Sequence, residues 1–129
     1  MITSLLIPKL KQRFPGRGLR QEPPPAPCAL FPAAHPEVGD ILLYDDGDEV
    51  TVVAGNFTHS HVCNYEDGLT PEEREEKIVE DVADFLEDLF ADWIVLWGSH
   101  KGGGGWYFAE DPRGAPRKHD KEYVWSGPL

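Results

Sequence analysis

The sequence predicts an α+β domain: an antiparallel sheet of about five strands, in the order ββ(β)-α-β-β, packed on one long helix near residues 71–91. Three observations predict it. Apolar residues alternate with a period of two from Ile41, a helix-start signature stands at Thr70-Pro71-Glu72-Glu73, and a stripe of helical period follows it. At 129 residues and 40% hydrophobic composition, the chain is sized for a single core. It divides into a basic N-terminal arm with a proline-rich connector, residues 1–36, and an acidic α+β domain, residues 37–129.

The arm, MITSLLIPKLKQRF, carries Leu5, Leu6, Ile7, Leu10 and Phe14, enough to dock as a short helix or edge segment but too short to fold alone. Its basic, acid-free composition is similar to that of a transit peptide, yet Pro8 and Pro15 interrupt any long amphipathic helix. The longest apolar runs, Leu5–Ile7 and Trp93–Trp97, fall far short of the roughly 20 residues a membrane span needs. A soluble, cytoplasmic protein is expected. The connector from Gln21 to Pro36 holds six prolines and reads as extended, with polyproline character.

Ile41–Tyr44 and Val50–Ala54 are β-rich and separated by DDGDE, where Asp46-Gly47 favours a hairpin turn. Gly55-Asn56 offers a second tight turn into Phe57–Tyr65, giving a three-strand meander. DDGD superficially suits calcium, but the oxygen ligands through to a glutamate at position twelve are missing. Thr70 then caps a helix, with proline at its first position and Glu73 completing a capping box. Its apolar stripe runs through Ile78, Val79, Val82, Phe85, Leu86, Leu89 and Phe90. Trp93–Trp97, apolar on both faces, reads as an interior strand. Gly98–Gly105 is a loop, Trp106–Ala109 a returning strand, and Glu122–Trp125 a last short one. Lys101–Gly105 lacks the order of a phosphate loop and leads into a strand rather than a helix.

Charge narrows the function. Residues 1–35 hold five Lys/Arg against one acid, while residues 36–129 hold 7 against 22. A surface so negative repels phosphate backbones, which argues against nucleic acid and suits a basic protein partner. Between Glu72 and Asp92, ten acids face only Arg74 and Lys77. Glu87, Asp88 and Asp92 oppose the helix dipole near the C-terminal end, and a charge kept there without local benefit hints at a contact surface. In its general look, a small acidic α+β domain without a catalytic constellation, the chain is similar to bacterial immunity and antitoxin-like proteins. That resemblance rests on size, charge and class; it implies a binding role and transfers no residues. The expected partner-binding residues are Glu80, Asp84, Glu87 and Asp88, steering a basic partner electrostatically. If the arm folds back on this helix, that surface is already occupied.

The stretch NFTHSHVCNY, Asn56 to Tyr65, carries the alternative. On a strand, Phe57, His59, His61, Cys63 and Tyr65 share one face, and Thr58, Ser60, Val62 and Asn64 the other. The second set is the more polar, so the histidine face is expected to look toward the helix. His59 and His61 could hold zinc or iron, completed by His100, His119 or an acid, with Asp45 or Asp48 as base of a metal-dependent hydrolase. Cys63 with a neighbouring histidine would be a nucleophile, but no activating context accompanies it. A third reading is a structural or regulatory domain without activity, in which the histidines merely pack. No cofactor is called for by the first or the third reading.

Overall fold

The computed structural model describes residues 2–22, 27–98, 104–111, 113, 115 and 121–129. Two helices and eight strands follow in order: α1 (Ile2–Arg13), β1 (Ala29–Phe31), β2 (Ile41–Asp45), β3 (Val50–Ala54), β4 (Thr58–Val62), α2 (Pro71–Phe90), β5 (Ile94–Gly98), β6 (Gly104–Phe108), β7 (Lys121–Val124) and β8 (Gly127–Pro128). The class is α+β, with the long helix where the capping signature places it. The strands form two antiparallel sheets of four, ordered β1-β2-β3-β4 and β6-β5-β7-β8, where one sheet was expected. The reason lies in the pairing. After α2 the chain returns beside β4, but β5 takes its ladder partners from β6 and β7 downstream.

The capping box is complete: Thr70 Oγ1 accepts from the Glu73 amide and Glu73 Oε1 accepts from the Thr70 amide, both at 3.1 Å. At the other end Asp92 takes a positive φ of 64°, and its carboxylate accepts from the Ser126 amide at 3.1 Å and hydroxyl at 2.6 Å. This pins the end of α2 to the turn between β7 and β8. The hairpin at Asp46-Gly47 forms as its turn chemistry dictates, with Gly47 at φ 92° and the Asp46 amide donating to the Glu49 carbonyl.

The N-terminal segment is helix α1, and it shares the core of the rest. Ile2, Leu6 and Leu10 are essentially inaccessible to solvent and cluster with Leu43, Leu86 and Leu89. Pro8 sits inside the helix and cannot donate the amide a helix uses, so packing rather than propensity sustains α1. The Asp45 carboxylate, at the end of β2, caps it by accepting from the Thr3 amide at 3.1 Å and hydroxyl at 2.5 Å. Burial pushes the Asp45 carboxyl upward, but the bonds from Thr3 and the Gly47 amide outweigh it and hold the group below its ordinary value. The connector also departs from an unpaired extended strap: Ala29–Phe31 pairs with β2. Phe31 then joins Phe14, Phe90 and Trp125 in an edge-to-face cluster with centroids 5.1–5.9 Å apart.

The two sheets meet at a seam between β4 and the β5–β6 hairpin. Trp106 Nε1 donates to Ser60 Oγ at 2.7 Å, and the Phe57 ring lies 4.8 Å from that of Tyr123. A Cβ at Gly104 would lie 2.0 Å from the Phe57 carbonyl oxygen, so the glycine is there for close approach. Among the described residues no helix is long and apolar enough to cross a membrane.

Candidate functional site

The acidic face of α2 is the first candidate. Its expected contact residues do not form a single free surface, because α1 lies along one edge of the helix. Arg13 reaches three of the four carboxylates: Glu80 at 3.4 Å, Asp84 at 2.9 Å and Glu87 at 2.7 Å. Lys9 adds a bridge to Glu80 at 2.8 Å. The hydrogen bond to Asp84, opposed by desolvation and aided by the charges of Glu87, Asp84 and Glu80, raises the Arg13 pKa above its ordinary value. The open question of the sequence, whether the basic arm packs on the acidic helix, is thereby answered: it does. The carboxylates stay half-exposed, at 49% for Glu80, 59% for Asp84 and 64% for Glu87, so their field still reaches solvent.

Asp88, one turn beyond Asp84, is the exception. It lines a shallow cavity of about 250 Å³ with Trp93, Phe108 and Glu110. Trp93 is 51% exposed and Phe108 44%, unusual for such large apolar side chains. Of the four tryptophans, expected mostly in the core, Trp125 is buried and Trp97 and Trp106 half-buried; Trp93 precedes β5 and stands out. The Trp93 amide donates to the Asp88 carbonyl at 2.9 Å, and the Ala109 amide to the Trp93 carbonyl at 2.8 Å. Those bonds place the end of α2, the start of β5 and the turn after β6 side by side. The sequence signal for this group was faint: a tryptophan directly after a helix end, facing a phenylalanine across a hairpin.

The histidine strand turns the other way from the expectation. His59 and His61 are exposed, while Thr58, Ser60 and Val62 are partly covered. Register explains the correction. Val50, Val52 and Ala54 of β3 are buried and stand directly opposite Val62, Ser60 and Thr58, and residues directly opposite in an antiparallel pair share a face. The hydroxyl of Ser60 is accommodated because the Trp106 indole bonds to it.

His59 and His61 rings are 5.1 Å apart, but the potential ligand group involves only the second. Asp46, Glu49 and His61 bring one ligand atom each within 4.8 Å of one another, the one such group among the described residues. His61 Nδ1 is 3.2 Å from Glu49 Oε1 and 3.0 Å from Thr51 Oγ1. Thr51 donates its proton to Asp46, which leaves its oxygen to accept from His61. The suggested bases fare differently: Asp45 caps α1, and Asp48 sits exposed in the hairpin turn. His100 and His119 lie outside the described residues. Asp46 and Glu49 were missed, although the meander register puts Glu49, Thr51 and His61 on one face. Cys28 and Cys63 are both free thiols, and burial, opposed by a bond from Thr3, pushes the Cys28 thiol up and away from reactivity.

Compared with protein-family models, curated proteins and solved structures, the chain matches none.

Proposed function

We propose that the protein is a small acidic binding protein of the immunity- or antitoxin-like kind, docking a basic protein partner on the acidic surface of α2. The observation that carries this reading is Asp88, a carboxylate with no partner among the described residues, beside the exposed Trp93. Half-exposed Glu80, Asp84 and Glu87 extend the negative field along the same helix. Such a field steers a basic partner, and an exposed tryptophan at its end supplies the anchor that charge alone does not. That three of these carboxylates already take a guanidinium from Arg13 is consistent with the chemistry proposed for the partner.

The test is a fluorescence titration of the full chain with an arginine-rich peptide at low and high salt, repeated with Asp88→Lys and with Glu80, Asp84, Glu87 and Asp88 all reversed. Binding that weakens steeply with salt and is lost in both variants supports the reading. Binding indifferent to all four reversals rejects it.

A second reading, a metal-dependent hydrolase, has one observation in its favour, the approach of Asp46, Glu49 and His61. Elemental analysis of untagged protein tests it. About one zinc or iron per chain, lost in His61→Ala, would favour it, because such a site needs its ligands for affinity. No stoichiometric metal would dismiss it.

A further inference from the structure

We infer that the notch formed by Asp88, Trp93, Phe108 and Glu110 receives the guanidinium of an arginine side chain from the partner. This rests on the docking reading above and adds the chemical group that is bound.

Two of the four exposed large apolar side chains among the described residues, Trp93 and Phe108, line this one small cavity. Exposed aromatic rings attract a cation through their quadrupole, and Trp is the strongest of them. Asp88 and Glu110 supply two negative charges to the same cavity, and neither makes a hydrogen bond or ion pair among the described residues. Glu80, Asp84 and Glu87, by contrast, all have a cation from the chain itself. Among the described residues the notch is therefore an unanswered pair of charges beside two rings.

Its shape is held in advance. Asp92 anchors the end of α2 through Ser126, and the Trp93 amide is bonded to Asp88. Phe108 packs edge-to-face on Trp106 at 5.2 Å, and Trp106 on Phe85 at 5.1 Å. Preorganisation of this kind reduces the ordering needed on binding.

Arginine fits better than other cations. Its planar guanidinium stacks on an aromatic ring while its fixed fork bonds carboxylates, whereas an ammonium is a compact, strongly hydrated charge. The chain shows both habits already, with Arg17 over Phe90 at 4.7 Å and Arg13 across three carboxylates. A metal ion is a poorer occupant, since the potential metal-ligand group among the described residues lies elsewhere, at Asp46, Glu49 and His61.

The test uses three peptides identical except for a central arginine, lysine or citrulline, followed by nitrogen-15 NMR of the full chain. The arginine peptide should shift the Trp93 indole resonance and the amides of Phe108 and Glu110, and bind about tenfold more tightly than the uncharged citrulline peptide. Lysine should fall between. Asp88→Asn with Glu110→Gln should abolish the difference between arginine and citrulline, circular dichroism confirming an unchanged fold. Equal binding of arginine and citrulline overturns the inference. So do shifts confined to the surroundings of Glu80, Asp84 and Glu87, although the docking reading then survives. If no peptide binds even at low salt, both fall together.

Discussion

Arg13 decides how α1 is held on the acidic helix, and Arg13→Ala measures that hold. The guanidinium contacts Glu80, Asp84 and Glu87 at 3.4, 2.9 and 2.7 Å, and its side chain is 20% exposed against 49–64% for the acids. Exposed pairs of this kind are worth roughly 0.2–1 kcal/mol each, and three sharing one cation do not add fully. Removing it also leaves like charges at i, i+4 and i, i+3 on α2, costing about 0.2–0.5 kcal/mol per pair. A Phe14 ring 5.8 Å from the guanidinium loses a weak cation–π contact as well. The expected loss is about 1–2 kcal/mol, read by urea unfolding at low salt. In ~1 M salt the Debye length falls to about 3 Å, so the loss should shrink to roughly half or less. Arg13→Lys should fall between the two, because it keeps the charge and loses the fork. An unchanged urea midpoint at low salt would refute the clasp. A loss of full size at high salt would show that packing, and not charge, holds α1.

Asp45→Asn should weaken the α1 cap by roughly 1 kcal/mol near neutral pH, the difference between bonds to a charged and to a neutral acceptor. Because the folded carboxyl sits below its ordinary value, its contribution is complete above about pH 4 and fades as pH falls through the folded pKa. The gap between wild type and variant in urea midpoint should therefore close in acid, and a gap that widens instead would contradict the capping role. Gly104→Ala places a Cβ 2.0 Å from the Phe57 oxygen and 2.7 Å from that of Trp97, both backbone, so the seam must open at a cost of roughly 1–3 kcal/mol. Gly16→Ala, with nothing within 4 Å, is the control and should leave thermal unfolding nearly unchanged.

What could be read beforehand was local. The capping box at Thr70, the apolar stripe of α2 and the Asp46-Gly47 turn all depend on residues a few positions apart, and each appears where the sequence puts it. What could not be read depends on distant partners. Helix α1 carries a proline, and its first turn is capped from a distance by Asp45, 42 positions beyond Thr3. Strand β1 emerges from a proline-rich stretch because β2 offers it an edge. The division into two sheets likewise follows from β5 finding β6 and β7 rather than β4.

The β4 strand shows how polarity misleads when register is unknown. Ser60 and Thr58 looked like the solvent side because they are polar, yet a single indole donor meets the hydroxyl of Ser60 and lets that face turn inward. The buried alternation of Val50, Val52 and Ala54 was legible in the sequence, but a two-residue turn at Gly55-Asn56 would pair Ala54 with Phe57 and cover the histidine face; the loop takes in Phe57 as well, Ala54 pairs with Thr58, and the other face of β4 is covered. Pairing outranks composition here, and the histidines are left on the surface with Thr51 and Glu49 as neighbours.

The three acids that oppose the dipole at the end of α2 sharpen the case for a contact surface. Glu87 is answered by Arg13, and Asp92 by the amide and hydroxyl of Ser126. Both misplacements have local structural causes and need no partner. Asp88 has neither answer among the described residues, where its unfavourable position relative to the helix carbonyls is not offset. It also lines one cavity with an exposed tryptophan and a second carboxylate, Glu110. Once the accounted charges are set aside, the acidic face contracts to this one end of the helix, where an external cation would relieve the repulsion and cover the rings in the same step.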